Sequence, residues 1–357
     1  MKRRLISSYA AQAYIGLIGI LLMPVYMRHM GIEAVGLIGF FLMMQAWLQL
    51  LDLGLTQTLS RDMSLFKIGS MPLPDIWQRL RTLEWMLGSI SIVAAIVILA
   101  LKDRIAIDWL SVGSLAPDMV AVSIAAMAVA AAFRFLLGIY RASLIGLGRQ
   151  VWVNAAATLF ATAKFVGGLP LLIYWSAEPT VFFLFQAAIG GLELLAVAWL
   201  LYRVLPANPT GTFPYPEVLR LMLPMAAAMA FSALIWSIVT QADKLILSNI
   251  LTLEDYGFFT LGVLVASGVL MLIPPLNQVL QPRMTMLLSS SRGDEFRDLY
   301  QQATQLVSAV FFATGGVMAI FAEPLLLVWT GDPVASRAAA PILFWYAFAN
   351  ATIGLLI

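Results

Sequence analysis

The chain contains 357 residues, of which 61% are hydrophobic and only 11% are charged, and its formal net charge is +2. A soluble domain carries about 25% charged residues, so this composition indicates a protein with many membrane-spanning helices. The small, dispersed positive charge argues against nucleic-acid binding. With no cysteine and a single histidine, His29, the sequence excludes disulfides, cysteine-based metal sites and a Ser-His-Asp triad within the membrane.

The chain begins with Met1-Lys2-Arg3-Arg4, which is followed by an apolar run that extends to Met27. This run is longer than the apolar core of a signal peptide and has no small-residue cleavage site before the next span, so we predict an uncleaved first helix. Further apolar stretches of about 20 residues predict additional transmembrane helices. The ten predicted helices lie near residues 6–27, 35–60, 83–101, 119–144, 152–175, 180–202, 219–242, 256–281, 302–321 and 335–357.

Lysine and arginine residues are unevenly divided between the two sides of this predicted bundle. Fourteen of the 21 fall on the side of the N-terminus and five on the other side. The positive-inside rule therefore predicts a cytoplasmic N-terminus. The connecting segments are short, and the longest outer one, 102–118, contains no D-x-D pair. The sequence thus offers no soluble catalytic domain and argues against a membrane glycosyltransferase, polymerase or ligase.

A repeat relates the two halves of the chain. An offset of 221 residues superposes four pairs of identical residues: Glu33 and Glu254, Gly36 and Gly257, Gln57 and Gln278, and Leu59 and Leu280. These matches begin in the outer loop after helix 1 and in the one after helix 7. Because six helices separate the two copies, the repeat is parallel, a pattern typical of transporters. The second half is shorter by about two helices, so we expect either that these are missing or that the chain is a natural ten-helix form.

Four charged side chains lie inside the long apolar stretches of the first half: Asp52, Arg134, Lys164 and Glu193. A charge at bilayer depth costs about 3 kcal/mol or more, so it is kept where it faces the protein interior or a hydrated cavity. At 1.5 Å per residue, Arg134 lies roughly 22 Å from the outer end of its helix and Lys164 roughly 18 Å from the inner end of its own. These residues therefore mark a candidate functional site.

Several short motifs carry a family resemblance. They are Glu33-x-x-Gly36, Leu51-Asp52-Leu53-Gly54-Leu55, Tyr140-Arg141, Gly146-Leu147-Gly148-Arg149-Gln150, and Asp243-Lys244 followed by Glu254-x-x-Gly257. Together they resemble the Wzx-type polysaccharide flippases of the multidrug/oligosaccharidyl-lipid/polysaccharide exporter superfamily. The resemblance implies an all-α polytopic membrane protein with two parallel-repeat lobes around a central cavity and twelve helices, of which this chain has about ten. We expect an N-terminal six-helix lobe at 1–203 and a C-terminal lobe at 218–357 that lacks its last two helices.

The resemblance implies a flippase that moves undecaprenyl-diphosphate-linked oligosaccharide from the inner to the outer leaflet of the bacterial cytoplasmic membrane by alternating access. It would serve the synthesis of lipopolysaccharide O-antigen, capsule or exopolysaccharide, with a polysaccharide polymerase and a chain-length regulator as candidate partners. It would need no cofactor beyond a coupling ion, H+ or Na+. A lipid II flippase and a cation-coupled multidrug antiporter of the same superfamily are the alternatives, although the antiporter would be expected to carry acidic rather than cationic embedded residues.

Within this resemblance, Arg134 and Lys164 are the candidate ligands of the diphosphate. Arginine binds phosphate through two parallel hydrogen bonds, and lysine binds it as a point charge. Arg28, at the outer end of helix 1, is a candidate contact during release. The alternative interpretation of Arg134 and Lys164 is that they form structural ion pairs with embedded carboxylates. No catalytic residue and no metal ligand is expected.

Three acidic residues are candidates for coupling or charge pairing. Glu193 lies at a depth where it could neutralise the embedded lysine, or exchange a proton as the cavity alternates. Asp52 could pair with Arg134 or with Arg61, or satisfy a kinked helix end. Asp243 could cap helix 7 together with the lysine that follows it, or bind the coupling cation.

Overall fold

The computed structural model of the chain describes residues 2–207, 216–271 and 293–354, together with positions 273, 280, 284, 286 and 287. Over these residues the regular secondary structure is helical, and eight segments are long and apolar enough to cross a membrane. The α-helices are α1 (Lys2–Met30), α2 (Ile32–Leu50), α3 (Leu55–Lys67), α4 (Leu73–Arg104), α5 (Pro117–Gly146), α6 (Gln150–Phe165), α7 (Gly168–Tyr174), α8 (Pro179–Val204), α9 (Pro216–Ile250), α10 (Leu253–Leu270), α11 (Gly293–Ile320), α12 (Ala322–Thr330) and α13 (Pro333–Ile353). A short π-helix, Ile105–Trp109, continues α4. The prediction of an all-α polytopic membrane protein is confirmed.

The prediction of one continuous helix at 35–60 is wrong, because a turn divides this segment into α2 and α3. Gly54 has a left-handed φ of 74°, and Leu53 has a φ of 51°, which is uncommon for a residue with a side chain. The carboxylate of Asp52 accepts hydrogen bonds from the backbone N and the Oγ1 of Thr56, at 3.2 and 2.7 Å. The turn therefore ends α2 and starts α3, and hydropathy misses it because its leucines keep the window apolar.

Other helix limits also differ from the predicted spans. α4 begins at Leu73 and α11 at Gly293, so polar residues before both apolar runs are helical. Hydropathy detects only the part of a helix that matches the hydrocarbon core. The helix predicted at 152–175 is interrupted where the backbone N of Gly167 donates to the carbonyl of Thr162 at 3.2 Å. The chain continues from there as the short helix α7.

α2 and α10 pack against each other at residues that the repeat makes equivalent. A Cβ atom added to Gly36 would clash with the carbonyl oxygen of Leu253, and one added to Gly257 would clash with that of Ile32. The 221-residue offset converts the first contact into the second. The contact is therefore reciprocal, as contacts across a two-fold axis are. Gln278, which belongs to the predicted repeat, lies outside the described residues.

A second reciprocal pair of contacts joins the halves at the helix ends opposite the N-terminus. Arg28 Nη2 donates a hydrogen bond of 3.1 Å to the carbonyl of Thr330, and Asn249 Nδ2 donates one of 3.4 Å to the carbonyl of Trp109. The same offset relates Arg28 to Asn249 and Trp109 to Thr330. The last turns of α1 and α9 are thus each held by the opposite half of the molecule.

The largest apolar core also spans both halves. It includes Leu37 of α2, Ile124 of α5, Leu261 of α10 and Leu343 of α13, all fully buried. A separate core is formed by side chains of α3, α4, α5 and α8 nearer the N-terminal side. Because α5 contributes to both cores, the side chains that it presents are held on a rigid element.

Candidate functional site

One face of α5 carries two arginines, Arg134 and Arg141, separated by seven residues. Seven residues are close to two helical turns, so both side chains leave the same face, roughly 10 Å apart along the helix axis. Gly138 lies between them, and a Cβ added there would meet no atom closer than 3.8 Å. The helix therefore presents two cations beside open space.

Glu193 of α8 joins α5 to α6. Its carboxylate is 3% exposed, and its Oε2 accepts a hydrogen bond of 2.7 Å from Lys164 Nζ. Its Oε1 accepts a hydrogen bond from Arg141 Nη2. A buried carboxylate needs such partners, because an unpaired charge in a low-dielectric interior is strongly destabilising. The pairing that the sequence suggested between Glu193 and Lys164 is therefore present, with Arg141 as an additional partner.

Arg134 has no such partner. Among the described residues it forms neither an ion pair nor a hydrogen bond, and its side chain is exposed although it lies in the interior of α5. The surface that it exposes lines two adjoining cavities. Three cations, Arg134, Arg141 and Lys164, thus lie around one anion, Glu193. Together these four side chains carry a net charge of +2.

The first cavity has a volume of about 240 Å³ and contains these four charged side chains in its wall. It is enclosed by α1, α2, α5, α6 and α8, each of which packs against its neighbours in the ring. Most of the remaining wall is apolar, with Ile38, Leu42 and Phe165 among the lining residues. All of these helices belong to the first half of the chain, so this cavity lies within that half rather than between the two.

The second cavity has a volume of about 340 Å³ and adjoins the first at Arg134. It lies beside the turn between α2 and α3 and reaches Ala233 of α9. Asp52 lines it and forms its hydrogen bonds with Thr56. Asp52 does not pair with Arg134. Its hydrogen bonds with Thr56 instead match the prediction that Asp52 satisfies a kinked helix end.

Arg28 and Asp243 lie away from this site. Arg28 is bonded to the Thr330 carbonyl at the opposite end of the molecule from the N-terminus. Asp243 lies 3.7 Å from Lys244 and accepts a hydrogen bond from the Tyr346 hydroxyl. Lys244 lines a third cavity, of about 190 Å³, between α2, α9 and α10. Of the predicted site residues, the structure therefore brings Arg134, Lys164 and Glu193 together in one cavity wall. Arg28 and Asp243 lie outside this wall.

The sequence marked Arg141 only as part of the Tyr140-Arg141 motif, and its place in the cavity wall was not predicted. The available signal was its seven-residue spacing from Arg134, which puts both on one helix face. Its contact with Glu193 has no sequence signal, because 52 residues separate the two. No group of three or more His, Cys, Asp or Glu side chains suited to a metal ion occurs in the part of the chain that the structure describes.

Comparison with known sequences gives one family. The model of a family described as polysaccharide biosynthesis protein matches residues 2–288. No curated protein matches the sequence.

Solved structures with a similar fold are transporters. An inward-facing multidrug resistance MATE family transporter of the MOP superfamily matches with a TM-score of 0.70 and 14% identity, over 98% of this chain and 84% of that one. An outward-facing conformation of a transporter of the same description matches with a TM-score of 0.59 and 14% identity, over 99% of this chain and 81% of that one. The MATE multidrug transporter DinF-BH matches with a TM-score of 0.68 and 13% identity, over 99% of this chain and 80% of that one. At such low identity the likeness establishes the fold.

Proposed function

The chain belongs to the polysaccharide biosynthesis protein family and is a multi-pass membrane transporter rather than an enzyme, and from this premise we propose that it is a lipid-linked oligosaccharide flippase. The proposed substrate is undecaprenyl-diphosphate-linked oligosaccharide, moved from the inner to the outer leaflet of the bacterial cytoplasmic membrane for O-antigen, capsule or exopolysaccharide synthesis. The N-terminus is proposed to be cytoplasmic. The observation that carries this proposal is the cavity with a net charge of +2.

A polyprenyl diphosphate has two anionic phosphates that cannot cross hydrocarbon without compensating charge. The cavity offers Arg134, a cation with no ion-pair partner among the described residues, and Arg141 and Lys164 line the same cavity. Arginine can hold a phosphate through two parallel hydrogen bonds, which are stronger when the donor is charged. The excess of two positive charges is suited to a diphosphate, because a loaded cavity would be close to electrically neutral.

The apolar part of the same wall supports an amphiphilic substrate. Ile38, Leu42 and Phe165 lie in the cavity that contains the cations. A purely ionic ligand gains nothing from such surfaces, whereas a lipid whose chain begins at the phosphate does. We propose that the diphosphate enters the ring of helices while its hydrocarbon tail extends toward the bilayer.

Transport is proposed to be coupled to H+ or Na+. Glu193 is one candidate, because a carboxylate that balances two cations alters the charge of the cavity when it takes up a proton. Asp243 is the other, since it is an acidic residue within α9. A polysaccharide polymerase and a chain-length regulator are the proposed partners, because they would use the translocated lipid.

The cavity charge distinguishes this proposal from one of its two alternatives. A multidrug antiporter that exports cationic drugs would be poorly served by a net positive cavity, because like charges repel in a low dielectric. A lipid II flippase would need the same cations, since its substrate also carries a diphosphate. The choice between the two lipids depends on the glycan.

The direct test is translocation by the purified protein in proteoliposomes, with undecaprenyl-diphosphate-linked oligosaccharide as substrate and a glycan-modifying reagent outside. We expect transport by the wild type, and its loss in Arg134→Ala. The matched control is Arg104→Ala, which removes an exposed arginine at the end of α4. Transport no faster than in empty liposomes, together with movement of a cationic dye, would overturn the proposal in favour of an antiporter.

A further inference from the structure

The turn between α2 and α3 is strained, and its residues line the second cavity. Leu53 has a φ of 51° and is the only residue with a side chain in the described part of the chain that has a positive φ. Such conformations persist where the surrounding structure imposes them, and they are frequent at binding sites. The same segment carries the motif Leu51-Asp52-Leu53-Gly54-Leu55, to which the diphosphate site assigns no role.

The polar side chains beside the strained turn have unused hydrogen-bonding capacity in the described part of the chain. Gln49 precedes the turn and Gln57 follows it, and both side chains are exposed and line the cavity of about 340 Å³. Neither side-chain amide forms a hydrogen bond with a described residue. Asp52 uses each carboxylate oxygen once, toward Thr56, so each oxygen can accept another hydrogen bond.

These groups suit a ligand rich in hydroxyls. An amide offers two donors and an acceptor, and a carboxylate offers further acceptors, so together they match the alternating donors and acceptors of a sugar ring. The cavity volume of about 340 Å³ lies within the range of about 300–1,000 Å³ that is typical of small-ligand sites. Among the described residues that line it, Arg134 is the one cation, and it lies at the border with the first cavity.

We propose that the second cavity is a carbohydrate subsite that holds the first sugar of the lipid-linked oligosaccharide. Gln49 and Gln57 determine specificity by hydrogen bonding to sugar hydroxyls, and Asp52 accepts from a further hydroxyl. This inference rests on the proposed function, because the sugar is placed by its bond to the diphosphate. A diphosphate at Arg134 puts the attached sugar next to that arginine, on the side where the polar cavity lies.

The test is equilibrium binding of two kinds of probe to the purified full chain. One probe is undecaprenyl diphosphate, and the other is a set of the same lipid carrying a single hexose or N-acetylhexosamine. We expect the wild type to bind at least one glycosylated lipid more tightly than the bare diphosphate, by roughly tenfold for two or more hydrogen bonds. The double variant Gln49→Ala, Gln57→Ala should lose this preference while its affinity for the bare lipid stays the same.

The control is Gln301→Ala, which removes an exposed glutamine of α11 that lines neither cavity. It should keep the preference of the wild type. A wild type that binds bare and glycosylated lipids equally, or a double variant that keeps the preference, overturns the carbohydrate subsite alone. A wild type that fails to bind undecaprenyl diphosphate overturns the proposed function as well, so the two failures are distinguishable.

Discussion

The ammonium group of Lys164 on α6 lies 2.7 Å from the carboxylate of Glu193 on α8, and the same carboxylate accepts a hydrogen bond from Arg141 on α5. One buried acidic residue therefore ties together three of the five helices that enclose the cationic cavity. Such an arrangement can stabilise the protein and also hold cations ready for an anionic ligand. These two roles are separable by experiment.

Replacing Glu193 by alanine should destabilise the protein. The substitution leaves Lys164 and Arg141 facing each other without a counter-ion, and breaking a buried pair in this way costs about 3 kcal/mol. Thermal unfolding of the purified protein in detergent measures the change. Glu193→Gln keeps the side-chain volume and one acceptor oxygen, so the stability of this variant should lie between that of the wild type and that of Glu193→Ala. A stable Glu193→Ala variant would contradict the structural role.

The double variant Lys164→Ala, Glu193→Ala separates pairing from substrate binding. Glu193→Ala alone leaves Lys164 and Arg141 without their counter-ion, whereas the double variant leaves only Arg141 so. The loss of stability in the double variant should therefore be smaller than the sum of the losses in the two single variants. If transport recovers along with stability, Lys164 acts only through its ion pair. If stability recovers and transport does not, Lys164 contributes to substrate binding, which is the result that we expect.

The glycine contacts between α2 and α10 predict a sharp dependence on side-chain size. Gly36→Ala should lower the free energy of unfolding by about 1–3 kcal/mol, because its Cβ would meet the Leu253 carbonyl and force two packed helices apart. The matched control is Gly88→Ala in α4, where an added Cβ has no neighbour within 4 Å. That variant should be neutral or slightly stabilising, because alanine favours the helix. Equal losses in the two variants would show that close packing at Gly36 is unimportant.

The extent to which the sequence predicts this site depends on the physical signal that each residue leaves. Arg134 and Lys164 are visible because a charge stands out within an apolar run. Arg141 lies five residues from the end of α5, where positive charge is expected on topological grounds alone. The contact that brings it to Glu193 depends on how α5 and α8 pack, and local sequence does not encode that packing.

The fold shows the same division. The helical type of the segments follows from the lengths of the apolar runs, but their number does not, because the spans predicted at 35–60 and 152–175 are each divided into two helices. Gly36 and Gly257, which marked the repeat, both lie at a close contact between α2 and α10. The break after Leu50 could not be predicted from hydropathy, because Leu51 and Leu53 are as apolar as the helix before them. Gly54 was the available turn signal, but a single glycine is also tolerated inside transmembrane helices.

Asp52 should contribute to stability through the start of α3. Asp52→Ala removes the acceptor for the backbone N of Thr56 and should cost about 1 kcal/mol, as the loss of a helix cap does. Asp52→Asn keeps an acceptor oxygen in place and should retain most of that stability. Thermal unfolding of the two variants and the wild type measures these differences in stability. If the asparagine variant is as unstable as the alanine variant, the charge of Asp52 matters more than its hydrogen bonds.

Arg28 should hold the ends of the two halves together on the side opposite the N-terminus, through its bond to the Thr330 carbonyl. The chain has no cysteine, so Ser248→Cys provides a single reporter at a 1% exposed position that contacts Trp109 in the reciprocal junction. Losing a hydrogen bond from a charged donor should favour separation, so Arg28→Ala should speed labelling by an impermeant maleimide roughly tenfold. Arg337→Ala removes an exposed arginine instead and should leave the rate unchanged. Equal labelling in both backgrounds would show that Arg28 does not restrain this end.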